Sequence, residues 1–239
     1  MKPVLIIGTG HAPDVIRARY GDFPQWFQHA ARLARSRVRV IDVAAGDELP
    51  PVTDVAGAII TGSGAMVTER QPWSEQTAGW IREAMDVDLP LFGVCFGHQL
   101  MAHALGGRVD YLPGGREIGT QPITLSPAAA GDVAATKAPA TFRAHTTHEQ
   151  SVLETPHGAV VLARSPRDPH QMLRYGRNAV STQFHPEFSA EVMRAYVRRK
   201  LGGTRHADLQ RLGEFREVAA TPGARGLLRQ FARRHGWAD

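Results

Sequence analysis

Leu91-Phe92-Gly93-Val94-Cys95-Phe96-Gly97-His98-Gln99-Leu100 is the stretch on which the reading of this chain turns. Its first four residues are apolar without alternation, the pattern of a strand buried on both faces. The next residues continue at once into a helical pattern that Gly106-Gly107 stops. A strand that is buried on both sides and feeds a helix belongs to an α/β sheet, not to an antiparallel sandwich. Outward from it the texture repeats. Val4–Gly8, Val38–Val43, Ala56–Thr61 and Pro90–Val94 read as strands, residues between Ala12 and Ala34 and over Trp73–Met85 as helix, and Cys95–Leu105 as the next helix.

After Gly107 the runs shorten. Arg108–Tyr111, Gln121–Leu125, Ala159–Arg164, Gln171–Tyr175 and Ala179–Phe184 read as strands continuing the same sheet. From Ser189 the pattern is helical again: Glu191–Leu201, about Asp208–Val218 and about Ala224–His235, with Pro222-Gly223 as punctuation. The expected fold is therefore α/β, with a mostly parallel central sheet flanked by helices. Residues 1–200 are expected to form one domain, and 201–239 a helical extension packed on it.

Composition bounds the function. The 239 residues suffice for one large core but are short for two independent domains. A single cysteine allows no internal disulfide and favours a reducing, cytoplasmic setting. The apolar run at Val4–Ile7 is too short for a signal peptide, and no stretch approaches the roughly 20 apolar residues of a membrane span. The net charge of +5 is concentrated in C-terminal arginines. They could dock an acidic partner or nucleic acid. Dispersed as they are, with few aromatic neighbours, they read better as a solvated helix face.

Chemistry centres on Cys95. A nucleophile on a sharp strand-to-helix turn is the elbow of α/β hydrolytic enzymes, here with sulfur for oxygen. Gly93 and Gly97 leave room around it, and the helix N-terminus favours thiolate and a developing oxyanion. By itself a lone cysteine reads equally as a small core residue. Gln183-Phe184-His185-Pro186-Glu187-Phe188 supplies the missing partner. In an extended segment His185 and Glu187 share a face, so the carboxylate can hold one imidazole nitrogen while the other faces the thiol. His98, His145 and His148 compete with His185 as the base, and only the paired carboxylate favours His185. Gly8-Thr9-Gly10 lacks the third glycine of a dinucleotide loop, and the histidines show no metal-ligand spacing, so neither nucleotide cofactor nor metal is expected.

Gly-Val-Cys-Phe-Gly-His-Gln-Leu and Gln-Phe-His-Pro-Glu, with Cys95 and His185 ninety residues apart, resemble the paired motifs of the class I glutamine amidotransferases. The resemblance runs in order over most of residues 4–200 and is similar to the glutaminase domain of GMP synthase. It implies a three-layer, flavodoxin-like fold with Cys95 as nucleophile, His185 as base and acid, and Glu187 as its orienter. The backbone N–H groups of Phe96 and of Ser63, in the Thr61-Gly62-Ser63-Gly64 turn, would form the oxyanion hole. Gly62, Gln99 and His148 would line the substrate pocket. His148-Glu149-Gln150 departs from the family's usual His-Gly-Asp or Ser-His segment, and Gly115-Arg116-Glu117-Ile118-Gly119 resembles a segment near the pocket.

The implied reaction is hydrolysis of the glutamine γ-amide through a glutamyl thioester, with ammonia passed to an acceptor. The chain has no room for an ATP-using synthetase domain, so a separate synthetase subunit is an expected partner. The alternatives are a γ-glutamyl peptidase or hydrolase acting on other γ-glutamyl amides, and a catalytically silent binding or regulatory subunit.

Overall fold

The computed structural model describes residues 2–136, 138–201 and 218–238. Its strands are β1 (Val4–Gly8), β2 (Val38–Asp42), β3 (Gly57–Ile60), β4 (Leu91–Val94), β5 (Arg108–Tyr111), β6 (Glu117–Leu125), β7 (Thr141–His148), β8 (Gln150–Glu154), β9 (Val160–Arg164), β10 (Met172–Arg174) and β11 (Ala179–Thr182). The helices are α1 (Asp14–Tyr20), α2 (Phe23–Ala31), α3 (Pro72–Asp86), α4 (Phe96–Ala104), α5 (Ala190–Leu201) and α6 (Pro222–Arg234).

A nine-stranded sheet runs in the order β2-β1-β3-β4-β11-β10-β9-β6-β7, and β5 pairs with β8 in a small second sheet. From β2 to β11 every pairing is parallel. From β11 to β7 every pairing is antiparallel. The parallel block is covered on both faces, which is why its strands carry no polar alternation. Val4 and Ile6 point into one apolar layer with Phe27 and Leu228, whereas Leu5 and Ile7 point into the other with Ile81 and Leu100. Helices α2 and α6 therefore lie on one side and α3 and α4 on the other, giving three layers.

The single helical region expected between Ala12 and Ala34 is two helices. Gly21 ends α1 with a positive φ of 79°, and Asp22 caps α2 in a capping box with Gln25. Strands β7 and β8 have no counterpart in the sequence reading. Their buried side chains include His145, Thr146, His148, Gln150 and Ser151, so the apolar period that reveals a strand is absent. The expected helix near Asp208–Val218 lies outside the described residues. Helix α6 buries Leu227, Leu228 and Phe231, and Phe231 meets Phe92 of β4 edge-on at 5.1 Å. Beyond it, Trp237 is buried in the space Gly57 leaves, and Ala238 bridges Leu33. Among the described residues no helix is long and apolar enough to cross a membrane.

Candidate active site

Strand β4 delivers Cys95 to the C-terminal edge of the parallel block, where open α/β sheets present their ligand sites. Cys95 adopts φ 54° and ψ −103°, a conformation that costs a non-glycine residue about 1–3 kcal/mol. The surrounding chain holds it there: the Cys95 N–H donates to Thr182 O at 2.9 Å and the Gly97 N–H to Thr61 O at 3.0 Å. Close approach explains the flanking glycines. A Cβ on Gly97 would stand 2.4 Å from Ile60 O, and one on Gly93 would stand 2.6 Å from Gly97 O. The bond from Gly97 leaves the Phe96 N–H as a first-turn donor beside the sulfur.

His185 lies just beyond β11, bridged to His145 by an N–H···O bond of 2.8 Å. Its Nδ1–H donates to Glu187 Oε1 at 2.7 Å, both side chains being almost wholly buried. The ring and the Cys95 side chain line the same cavity. Burial pushes the imidazole pKa down, but the Glu187 carboxylate and Cys95 outweigh it and raise the value to about 10. The bond between residues i and i+2 forms in the irregular turn after the strand, not along the strand itself. Phe188 stacks on the His185 ring at 4.0 Å and Phe23 lies parallel to it at 6.4 Å, fixing its plane.

The competing histidines are engaged elsewhere. His98 is fully buried with Nδ1 against Ser181 Oγ at 2.7 Å, and burial, with His170 and His148 nearby, lowers its pKa to about 3. His145 Nδ1 pairs with Thr120 Oγ1 at 3.1 Å, and burial followed by the charge of His185 lowers its pKa to about 3. His148 pairs through Nδ1 with Gln150 O and through Nε2 with Glu117 Oε2, both at 2.9 Å.

The Cys95 thiol faces a cavity of about 370 Å³, whose wall includes Ser63, Phe96, Gln99, His148 and His185. Gly62 does not itself line it but packs behind the wall: a Cβ there would lie 3.1 Å from His185 Cε1 and 3.6 Å from Cys95 Cβ. The glycine turn is anchored from below, because the Thr9 N–H and hydroxyl bond Thr61 and Gly62 at 3.1 Å. Gly10 makes room for Ser63 Oγ, so the glycines after β1 support this turn. Gln99 Nε2 donates to Gln150 O at 2.7 Å and to Gln183 Oε1 at 2.9 Å. It thus joins α4 to the wall opposite. Behind that wall Glu117, at 0% exposure, accepts from His148, from Ser165 Oγ at 2.6 Å and from Gln171 Nε2 at 2.7 Å.

Several lining groups carry no sequence signal. The Thr147 carbonyl accepts from Cys95 Sγ at 3.9 Å. Arg116 pairs with Glu149, and Lys200 lies 3.9 Å from the same carboxylate. Tyr196 and Arg199 of α5 complete the rim. Phe188 alone could have been found, as the aromatic next to Glu187. Among the described residues no group of three or more His, Cys, Asp or Glu is placed to hold a metal ion.

The chain is 29% identical over 160 residues to γ-glutamyl peptidase 5 of Arabidopsis thaliana, covering 65% of this chain and 62% of that protein. It is 29% identical over 180 residues to the glutamine-hydrolysing GMP synthase of Corynebacterium glutamicum, covering 75% of this chain and 32% of that one. It therefore spans about six-tenths of the peptidase and a third of the synthase. A glutamine amidotransferase structure from Thermotoga maritima superposes with a TM-score of 0.74 at 21% identity, covering 98% of this chain and 97% of that one, which shows a shared fold. The sequence model for "Glutamine amidotransferase class-I" matches residues 19–201, and the chain belongs to that family.

Proposed function

We propose that the chain hydrolyses the γ-amide of glutamine through Cys95, His185 and Glu187. The observation that carries this reading is the His185 ring, bonded to the Glu187 carboxylate at 2.7 Å and lining the same cavity as Cys95. Thiolate and imidazolium stabilise each other in that arrangement. The thiolate attacks the carboxamide carbon, and its oxygen gains charge beside the backbone N–H groups of Phe96 and Ser63. His185 passes its proton to the leaving nitrogen as the C–N bond breaks, so ammonia departs and a glutamyl thioester remains. Water then adds with His185 as base, the C–S bond breaks, and glutamate leaves. Gly62, Gln99 and His148 shape the pocket for the glutamyl part, and no cofactor takes part. A reducing compartment such as the cytoplasm suits the single thiol.

The likeness to part of a GMP synthase supports a separate synthetase subunit as the ammonia acceptor. The likeness to γ-glutamyl peptidases supports a second reading, in which the scissile bond is another γ-glutamyl amide. A silent regulatory subunit fits the site poorly, because the cysteine, the histidine and its paired carboxylate are all kept about one cavity. Glutamate release from glutamine should vanish in Cys95→Ala, and a glutamine-mimicking electrophile should label the wild type on Cys95 alone. Unchanged turnover in Cys95→Ala would remove the reading. Glutamine turnover that appears only with cell extract would point to the missing synthetase.

A further inference from the structure

The catalytic cavity has two chemically different ends, and His185 tells them apart. The nitrogen that leaves must face His185, because it takes the His185 proton. The wall that carries His185 is therefore the leaving-group side, and Phe23 and Tyr196, which stacks on Phe188 at 5.0 Å, line it with His185. One turn beyond Tyr196 on α5 stands Arg199. Opposite it stands His11, held to Asp22, the cap of α2, at 2.8 Å. The glutamyl side is the other wall, where Gln99, His148, Glu149 and Gln150 lie.

Ammonia needs no space on the leaving-group side, yet the cavity does not end there. His11, Pro13 and Arg199 also wall an adjoining concavity of about 550 Å³ that opens past Asp14, Val15 and Arg17. The acids around it are already paired. Asp14 holds Arg17 at 2.8 Å, and Asp22 and Asp42 hold the two nitrogens of His11 at 2.8 and 3.0 Å. Glu149, across the cavity, holds Arg116 and Lys200. Arg199 is exposed, with no hydrogen bond or ion pair among the described residues. Burial, with Arg116 and Arg199 nearby, lowers the Lys200 pKa, as expected where cations crowd one rim.

We propose that the adjoining concavity is a leaving-group subsite in which Arg199 binds a carboxylate carried by the amine of a γ-glutamyl amide. This rests on the assignment of Cys95 and His185 above and narrows the substrate to γ-glutamyl amino acids or peptides with a free acid on the leaving amine. The guanidinium offers a carboxylate paired N–H donors, and Pro13 and Val15 offer apolar surface to the side chain between. In the reaction the amine takes the proton from His185 and departs as a free amino acid, and water supplies the oxygen of the glutamate formed.

The test compares kcat/KM for γ-glutamyl-alanine, γ-glutamyl-alaninamide and glutamine in the wild type, Arg199→Met and Arg199→Glu. The wild type should favour the acid over its amide by about ten- to a hundredfold, the usual worth of a charge-assisted hydrogen bond. Arg199→Met should bring that ratio near one, and Arg199→Glu should reverse it. Because the readout is a ratio within one preparation, a partly folded variant does not blur it. Equal rates for acid and amide in the wild type, or a preference that survives Arg199→Met, would overturn the subsite. Turnover of glutamine alone would overturn it too while leaving Cys95 as nucleophile. Failure of all three substrates, with no electrophile labelling of Cys95, would overturn both assignments.

Discussion

Replacing Glu187 by glutamine isolates the electrostatic part of the site. The change keeps the shape of a side chain that is 2% exposed and removes only its charge. In the wild type the His185 pKa stands at about 10 instead of 6.5, about three powers of ten in proton affinity. Burial opposes this rise, so it comes from Glu187 and Cys95. Without the carboxylate, burial gains and the imidazole pKa falls. The raised value means that His185 keeps its proton up to about pH 10 and loses it above that. Glutamate release measured from pH 6 to 10.5 should therefore show an alkaline limb near 10 in the wild type. In Glu187→Gln that limb should move several pH units down. At pH 8 kcat should drop by about three to four orders of magnitude, the usual cost of losing the orienting acid of a triad. The same pair contributes to stability: its share is fully present below pH 6.5 and fades as pH rises towards 10. An unchanged alkaline limb in Glu187→Gln would refute the claim that Glu187 holds the His185 charge.

Two further outcomes follow from local geometry. Cys95→Gly should be more stable than Cys95→Ala by about 1–3 kcal/mol, because only glycine accepts the positive φ without strain; equal urea midpoints would show that the elbow is unstrained. Glu117→Ala removes the acceptor of three buried donors and should cost about 3–5 kcal/mol of stability, read by urea denaturation. Any activity that remains should show a raised KM if His148 and Gln150, which line the cavity, hold the glutamyl part as proposed.

Much of this was legible before any coordinates. The strands of the parallel block are apolar on both faces, so Val4–Gly8 and Leu91–Val94 needed only local composition to be recognised. The elbow was legible for the same reason, since its strand, its glycines and its helix are consecutive. Strands β7 and β8 were not. Their buried histidines, threonines and glutamines are tolerated in the interior because they hydrogen-bond residues far along the chain, such as Thr120 and Glu117. The rim escaped for a related reason: Arg116, Glu149, Arg199 and Lys200 look like ordinary surface charges until the fold sets them around one cavity.

Local periodicity and two short motifs thus determined the class of fold and named the cysteine, because both depend on neighbours in sequence. What surrounds each histidine belonged to the tertiary structure. His98 sits three residues from Cys95, yet its ring is buried against Ser181, while His185, just beyond β11, lines the Cys95 cavity with Glu187 on its Nδ1. Which nitrogen meets which partner is set by the pairing of distant strands and the burial they create. The parallel pairing of β4 with β11, which brings the ends of the two strands together, is a long-range fact that no local pattern contains.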